Sequence, residues 1–225
     1  MPTTSGSLAT LSALAFLGTV AVVALALLAS AWFRSRNPVL ARRCRLGALA
    51  LPVAYGAGLG LASVRSREVT LAAGVEKYFC ELDCHLAYMV TAVHPLPGPD
   101  GRIAVVLRTR FDEATIGPRR PREAPTWPAP RRVALVLADG REVAPVIDPA
   151  TVAALGVPST PLTRELRPGE AYETVVLFDV PAGDTGSRLW LTDDLAVSPF
   201  LIGHERSPGH ARVLLPLPAL TVAGP

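Results

Sequence analysis

The chain has 225 residues, half of them hydrophobic, with 22 Lys or Arg against 19 Asp or Glu and a formal net charge of +3. The excess is local: residues 1–64 hold five arginines and no acid, whereas residues 65–225 hold 17 basic and 19 acidic groups. The body of the chain is therefore slightly acidic, which excludes the basic face a nucleic-acid binder needs.

Residues 1–7 form a short tail, and residues 8–33 are apolar apart from small Ser, Thr and Gly, long enough to cross a bilayer core. Residues 34–45 form a basic stretch carrying Arg34, Arg36, Arg42, Arg43 and Arg45, and residues 46–64 are a second apolar run of about the minimum spanning length. Arginines clustered in a short loop are retained on the cytoplasmic side. The expected topology is a two-helix transmembrane hairpin with its loop inside, both termini outside and everything after residue 64 extracytoplasmic. Trp32 and Phe33 stand at the inner interface beside Arg34. Pro52, Gly56, Gly58 and Gly60 give the second helix small residues for close helix packing. Ala29-Ser30-Ala31 resembles a signal-peptidase site, but residues 1–7 lack the basic residues of a signal peptide, so a retained helix is preferred. Of the 22 basic residues only Lys77 is not arginine, a composition that suggests a GC-rich bacterial genome.

From residue 69 short β-type runs alternate with turn residues. The patterning predicts strands at 69–72, 86–93, 103–111, 132–138, 142–147, 172–180, 188–192 and 211–215. Asp139-Gly140 and Pro99-Asp100-Gly101 supply turns. Asp148, Pro149 and Gly156 frame a helix over 148–155 as N-cap, first helical residue and C-terminal glycine. The Pro-dense segment 117–130 reads as an extended surface loop. Strands at this spacing, with no βαβ pattern, predict an all-β sandwich over residues 85–225, preceded by a stalk at 65–84.

Three motifs carry a family resemblance: Asp139-Gly140-Arg141, Leu166-Arg167-Pro168-Gly169-Glu170, and the strand from Val176 to Pro181. In this order the chain resembles the bacterial telomeric-repeat-binding-factor-like family of unknown function across about residues 85–216. The resemblance implies an extracytoplasmic immunoglobulin-like domain tethered to the membrane. It implies architecture and location, since each motif is a turn or strand that builds the fold.

The stretch from Lys77 to Met89 (KYFCELDCHLAYM) is the candidate for chemistry. Cys80 and Cys84 lie on the outer side, where an even pair oxidises, whereas Cys44 lies in the reducing loop. Residues four apart in an extended strand are about 13 Å apart, too far for a disulfide, so the pair must occupy a turn. A Cys80–Cys84 disulfide is the favoured reading. A second is copper held by Cys80, Cys84, His85 and Met89, since soft thiolate and thioether donors suit that metal. The C-x3-C spacing is similar to that of cytochrome oxidase subunit II, but that family's His and Met positions fall here on Tyr88 and Thr91. A third is covalent haem, although C-x-x-C-H is one residue shorter than the spacing found here. His204 and His210, six apart, and the acid pairs Asp112-Glu113 and Asp193-Asp194 read as solvated loop and turn residues, with a metal or Ca²⁺ the minor alternative. No phosphate loop, G-x-S-x-G or H-E-x-x-H is present. The expectation is a non-enzymatic binding or accessory module of the bacterial envelope with a protein partner there and no cofactor. The alternative is a copper- or haem-linked redox or metal-handling protein.

Overall fold

The structure, a computed structural model, describes residues 6–79, 85–97, 101–117, 120–181 and 184–218. Cys80 and Cys84, the Pro99-Asp100 turn, most of the N-terminal tail and residues 118–119 of the Pro-dense loop lie outside these ranges. The chain divides into two compact units.

One unit comprises Ser7–Arg67 together with Ala196–Ala211. Its helices are α1 (Gly6–Phe33) and α2 (Pro38–Arg65). They form an antiparallel pair, tied near one end by Arg45 Nε donating to Ser30 Oγ at 2.9 Å and further along by Phe16 against Tyr55. The turn is shorter than the basic stretch suggested, because Asn37 accepts from Leu40 N and Pro38 takes the first helical position. Arg42, Arg43 and Arg45 consequently lie in the first turns of α2, and only Arg34 and Arg36 precede it.

The helices meet along a 3.5-residue repeat. Positions 12, 16, 19, 23, 26, 30 and 33 of α1 are all buried or half-buried, as are 41, 44, 48, 51, 55, 58 and 62 of α2. Those are the a and d positions of a left-handed helix pair. Their residues are mostly small: Ser12, Ala26, Ser30, Ala41, Cys44, Ala48, Gly58 and Ala62 among them. Small side chains let the backbones approach, as in membrane helix pairs. Gly58 lies on the seam side, whereas a Cβ on Gly56 or Gly60 would meet open space. The outer faces carry Leu14, Leu17, Leu25, Leu28, Leu49 and Val53, each more than half exposed.

The second unit, chiefly Glu68–Leu195 with Arg212–Pro225, is mostly β. One sheet has the order β2 (Lys77–Phe79), β3 (Leu86–Pro95), β4 (Arg102–Phe111), β7 (Ala171–Asp179), all antiparallel. The other runs β1 (Val69–Thr70), β9 (Val213–Pro216), β8 (Arg188–Asp193), β5 (Arg131–Val136), β6 (Glu142–Val143), with β1 parallel to β9. Side chains from both sheets share one core. Val105, Leu107, Phe111, Val176 and Phe178 come from the first, and Leu135, Leu189, Leu191 and Leu215 from the second. Burying each such side chain stabilises the fold by about 1.5–3 kcal/mol. Strands β4 and β7 are covered on both faces. Ala104, Val106, Val175 and Leu177 face the other way and pack with Val152 and Leu155 around α3 (Pro149–Ala154).

The predicted elements differ from the observed ones in three places. The short strand β2 lies within the predicted stalk. The predicted strand 142–147 is cut after Val143, and Val146 bridges instead to Leu177 of the other sheet, so this segment crosses between sheets around Pro145. The Pro-dense loop is anchored in its middle by paired hydrogen bonds between Thr126 and Leu166. The helix α3 forms with its predicted cap, Asp148 accepting from Thr151 N, and Gly156 adopts φ +65° just beyond it.

Candidate functional site

The segment that holds Cys80 and Cys84 enters and leaves the sheet at neighbouring points, because Phe79 at the end of β2 is paired with Leu86 at the start of β3. Lys77, on β2, is buried at 2% exposure, and its Nζ donates to Leu191 O at 2.7 Å and Val213 O at 2.8 Å. The only lysine of the chain therefore crosses the core and ties the β2 edge of one sheet to β8 and β9 of the other. Phe79 lies edge-on to Tyr88, with the Arg131 guanidinium 4.2 Å above the Phe79 ring and Arg131 Nε on the Tyr88 hydroxyl at 3.1 Å.

His85 is buried at 3% exposure and stacks on Phe111 with ring centroids 5.2 Å apart. Its Nδ1 is 2.6 Å from Thr115 Oγ1, and that hydroxyl gives its single proton to Asp112 O at 2.6 Å. The Thr115 oxygen then accepts from His85, so Nδ1 carries a proton. His85 O in turn accepts from Asp112 N at 2.7 Å. Position 85 is thus fixed from both backbone and side chain.

Beside it, on the outward face of β2 and β4, Arg110 donates to both oxygens of Glu76 at 2.9 and 2.6 Å and pairs with Asp112 at 3.3 Å. The Tyr78 hydroxyl donates to Asp112 Oδ2 at 2.7 Å. The Arg110 bond holds Glu76 below its ordinary carboxylate range. Burial pulls Asp112 upward, but the bonds from Tyr78 and Arg110 outweigh it and leave that carboxyl lowered as well. Burial and the two neighbouring carboxylates raise the Tyr78 phenol. This network clamps the hairpin to β4, and it changes the reading of Asp112. Rather than a solvated turn carboxylate or a Ca²⁺ ligand, it is an ion-paired group that also caps the 3₁₀ turn Glu113–Thr115.

Of the sequence-derived metal set, Cys80 and Cys84 lie outside the described residues, and His85 and Met89 are not brought together. First-row ligands sit about 2.0–2.3 Å from their ion, so two donors must come within roughly 4–5 Å of each other. His85 and Met89 are separated by four residues of nearly extended chain, about 13 Å. Their side chains also face different surroundings. His85 faces Phe111 and Thr115, whereas Met89 lines a recess of about 30 Å³ with Ala73, Val75, Leu215 and Pro218. Among the described residues no group of three His, Cys, Asp or Glu side chains is arranged to hold a metal ion. Cys44 is a free thiol, half-buried on α2. Arg36 stacks on Trp32, and Arg45 bonds Ser30, so two of the topology arginines are anchored on the hairpin itself.

Two features escaped the sequence reading. The β2 strand, with a lysine directed into the core, contradicts the alternation by which strands are recognised. The segment Ala196–Ala211, which joins β8 to β9, belongs with the helices: Phe200 stacks on Phe16 at 5.5 Å, and the Tyr55 hydroxyl donates to Phe200 O at 2.7 Å. The apolar cluster Val197, Pro199, Phe200, Leu201 and Ile202 in an otherwise polar loop was the available signal. Comparison with protein-family models, curated proteins and solved structures finds no match to this chain.

Proposed function

We propose that this chain is an integral membrane protein of the bacterial envelope. In this reading α1 and α2 span the cell membrane with both termini outside, and the β unit is an extracytoplasmic binding or accessory module without catalytic activity. One observation carries the membrane part. Both helices are long and apolar enough to cross a bilayer, yet only 6% and 11% of the residues in their apolar windows are buried. A helix from the core of a soluble protein is mostly covered, whereas these present rows of Leu and Val outward and need an apolar solvent. The five arginines at the joined ends support the inside placement of the turn.

The β unit is read as an immunoglobulin-like sandwich, in keeping with the resemblance to the telomeric-repeat-binding-factor-like family. The support is the strand order: β3, β4 and β7 stand as A, B and E, and β5, β8 and β9 as C, F and G. The binding role rests on a site region whose polar groups are consumed in clamping the hairpin, and its test is a cross-linked pull-down of the full chain from native membranes. A specific envelope protein recovered with it supports the module; a monodisperse chain with no partner contradicts it.

The copper- or haem-linked alternative keeps only the sequence cluster of Cys80, Cys84 and His85. Intact mass of the full chain before and after reduction separates the two. A two-hydrogen deficit without adduct favours the Cys80–Cys84 disulfide, and a copper- or haem-sized adduct lost in Cys84→Ser favours the alternative.

A further inference from the structure

We propose that the β8–β9 connection, residues 196–211, is a wedge inserted in the outer leaflet, where Val197 and Phe200 contact lipid acyl chains. The inference rests on the membrane-spanning reading of α1 and α2 and goes beyond it, since a loop from the β unit becomes a lipid-binding element.

Its contacts order the loop along the helix axis. Ala211 N donates to Ser66 Oγ at the end of α2, and a Cβ on Gly209 would lie 3.9 Å from Ser63. Ile202 lies 3.6 Å from the Cβ position of Gly58, and Phe200 reaches Tyr55 and Phe16. Tyr55 is ten residues from the end of α2, and Phe16 is ten from the start of α1, so the tip lies about 15 Å below the outer helix ends. With a hydrocarbon core of about 30 Å, that is a descent through much of the outer half. Of these contacts Phe200's is the deepest, Ile202 lies higher at Gly58, and Gly209 and Ala211 reach the last residues of α2.

Irregular backbone at that depth needs its polar groups satisfied within the protein, and a run of turns satisfies much of this loop, although His210 Nδ1 is buried without a hydrogen-bond partner. Successive turns close through Phe200 N to Val197 O, Leu201 N to Ser198 O, His204 N to Leu201 O, Ser207 N to His204 O and His210 N to Ser207 O. The Ser207 hydroxyl donates to Leu201 O, and Arg206 N donates to His204 Nδ1. Its exposure is inverted relative to a loop in water. Ser198, Ser207 and Glu205 are at most 7% exposed, whereas Val197 is 41% and Phe200 53% exposed.

The test places a trifluoromethyl-phenylalanine at position 200 of the full chain, reconstituted in phosphatidylethanolamine–phosphatidylglycerol vesicles. Its fluorine relaxation is measured with an acyl-chain nitroxide lipid and with a water-soluble gadolinium chelate. Position 49 on the outer face of α2 and position 147, where Ile147 is 91% exposed in the β unit, are the references. The expected result is a several-fold enhancement by the lipid nitroxide at 200, as at 49, and little effect of gadolinium. A gadolinium response at 200 like that at 147, with 49 still in lipid, overturns the wedge and leaves the hairpin intact. Protection of 200 from both agents assigns the tip to a protein partner and equally overturns the lipid contact. A gadolinium response at 49 overturns the membrane reading itself.

Discussion

The two units bury opposite kinds of side chain. In the β unit Leu107, Phe111, Leu135, Phe178 and Leu189 are fully covered, while charged groups such as Arg108 and Arg141 lie outside. In the helical unit Ser12, Ser30, Ala41, Ala48 and Ser63 are covered, and Leu, Val and Trp lie outside. The physical rule is the same in both. A unit covers what its solvent holds poorly and presents what its solvent accepts. Water rejects hydrocarbon, so the β unit collapses around it. In lipid there is no such drive between helices, and small residues win the seam because they permit close contact. On the proposed membrane reading the boundary near Glu68 is a change of solvent, and the loop Ala196–Ala211 sorts its residues as the helices do.

The contrast is broken most strongly in the β core. Phe178→Ala leaves a cavity between the sheets and is expected to cost about 3–5 kcal/mol, measured by chemical denaturation followed by a β-unit probe. The truncation Leu49→Ala on the outer face of α2 is expected to leave that transition unchanged. Leu49→Asp acts on the other unit. A carboxylate at a helix centre costs about 3 kcal/mol of insertion, so the chain's membrane-integrated fraction should fall severalfold in a glycosylation or protease-protection assay. Ala48→Leu places bulk at the helix seam, where overpacking costs roughly 1–3 kcal/mol, seen as weakened cross-linking between cysteines introduced on α1 and α2. The same leucine at the neighbouring position, Gly47→Leu, points into open space and should leave the cross-link intact.

The smallest effects are protonic. Glu76 and Asp112 are both lowered from their ordinary values of 4.5 and 3.8, so the folded state binds fewer protons than the unfolded chain. Their stabilisation is present above those values and is lost as pH falls through and below them. Burial likewise lowers His210 from 6.5, against the pull of Glu205, and by the same sign its contribution is full above about pH 6.5 and declines below it. Thermal unfolding should therefore weaken in two stages on acidification. His210→Gln should remove the upper stage and Glu76→Gln should shrink the lower one. For Arg110 and Glu76, both partly exposed, the pair contributes about 0.5–1 kcal/mol.

Much of the architecture was legible because it follows from local rules. The apolar runs, the Asp148-Pro149 helix start and the alternation in β4 and β7 each declare themselves within a few residues. The start of α2 was also written in Asn37-Pro38, a cap and first-turn signal that the surrounding arginines outweighed. What was not legible depends on tertiary partners. Lys77 reads as a surface residue until Leu191 O and Val213 O are brought to it, and that charge is what hid β2. Asp112 reads as solvated until Arg110 and Tyr78 converge on it through strand register. The loop Ala196–Ala211 reads as an ordinary connection because nothing within it specifies Phe16 or Tyr55, which are far away in sequence. For the chemical site, β3 was anticipated but β2 was not, and the separation of His85 from Met89 follows from strand geometry, while Cys80 and Cys84 lie outside the described residues.

The central claim, that the solvent of α1 and α2 is lipid, is tested most directly by alkaline carbonate extraction of membranes from cells making the full chain. The account predicts that the chain stays in the membrane pellet and is released only by detergent. Quantitative release into the carbonate supernatant, alongside a known peripheral protein, would contradict it.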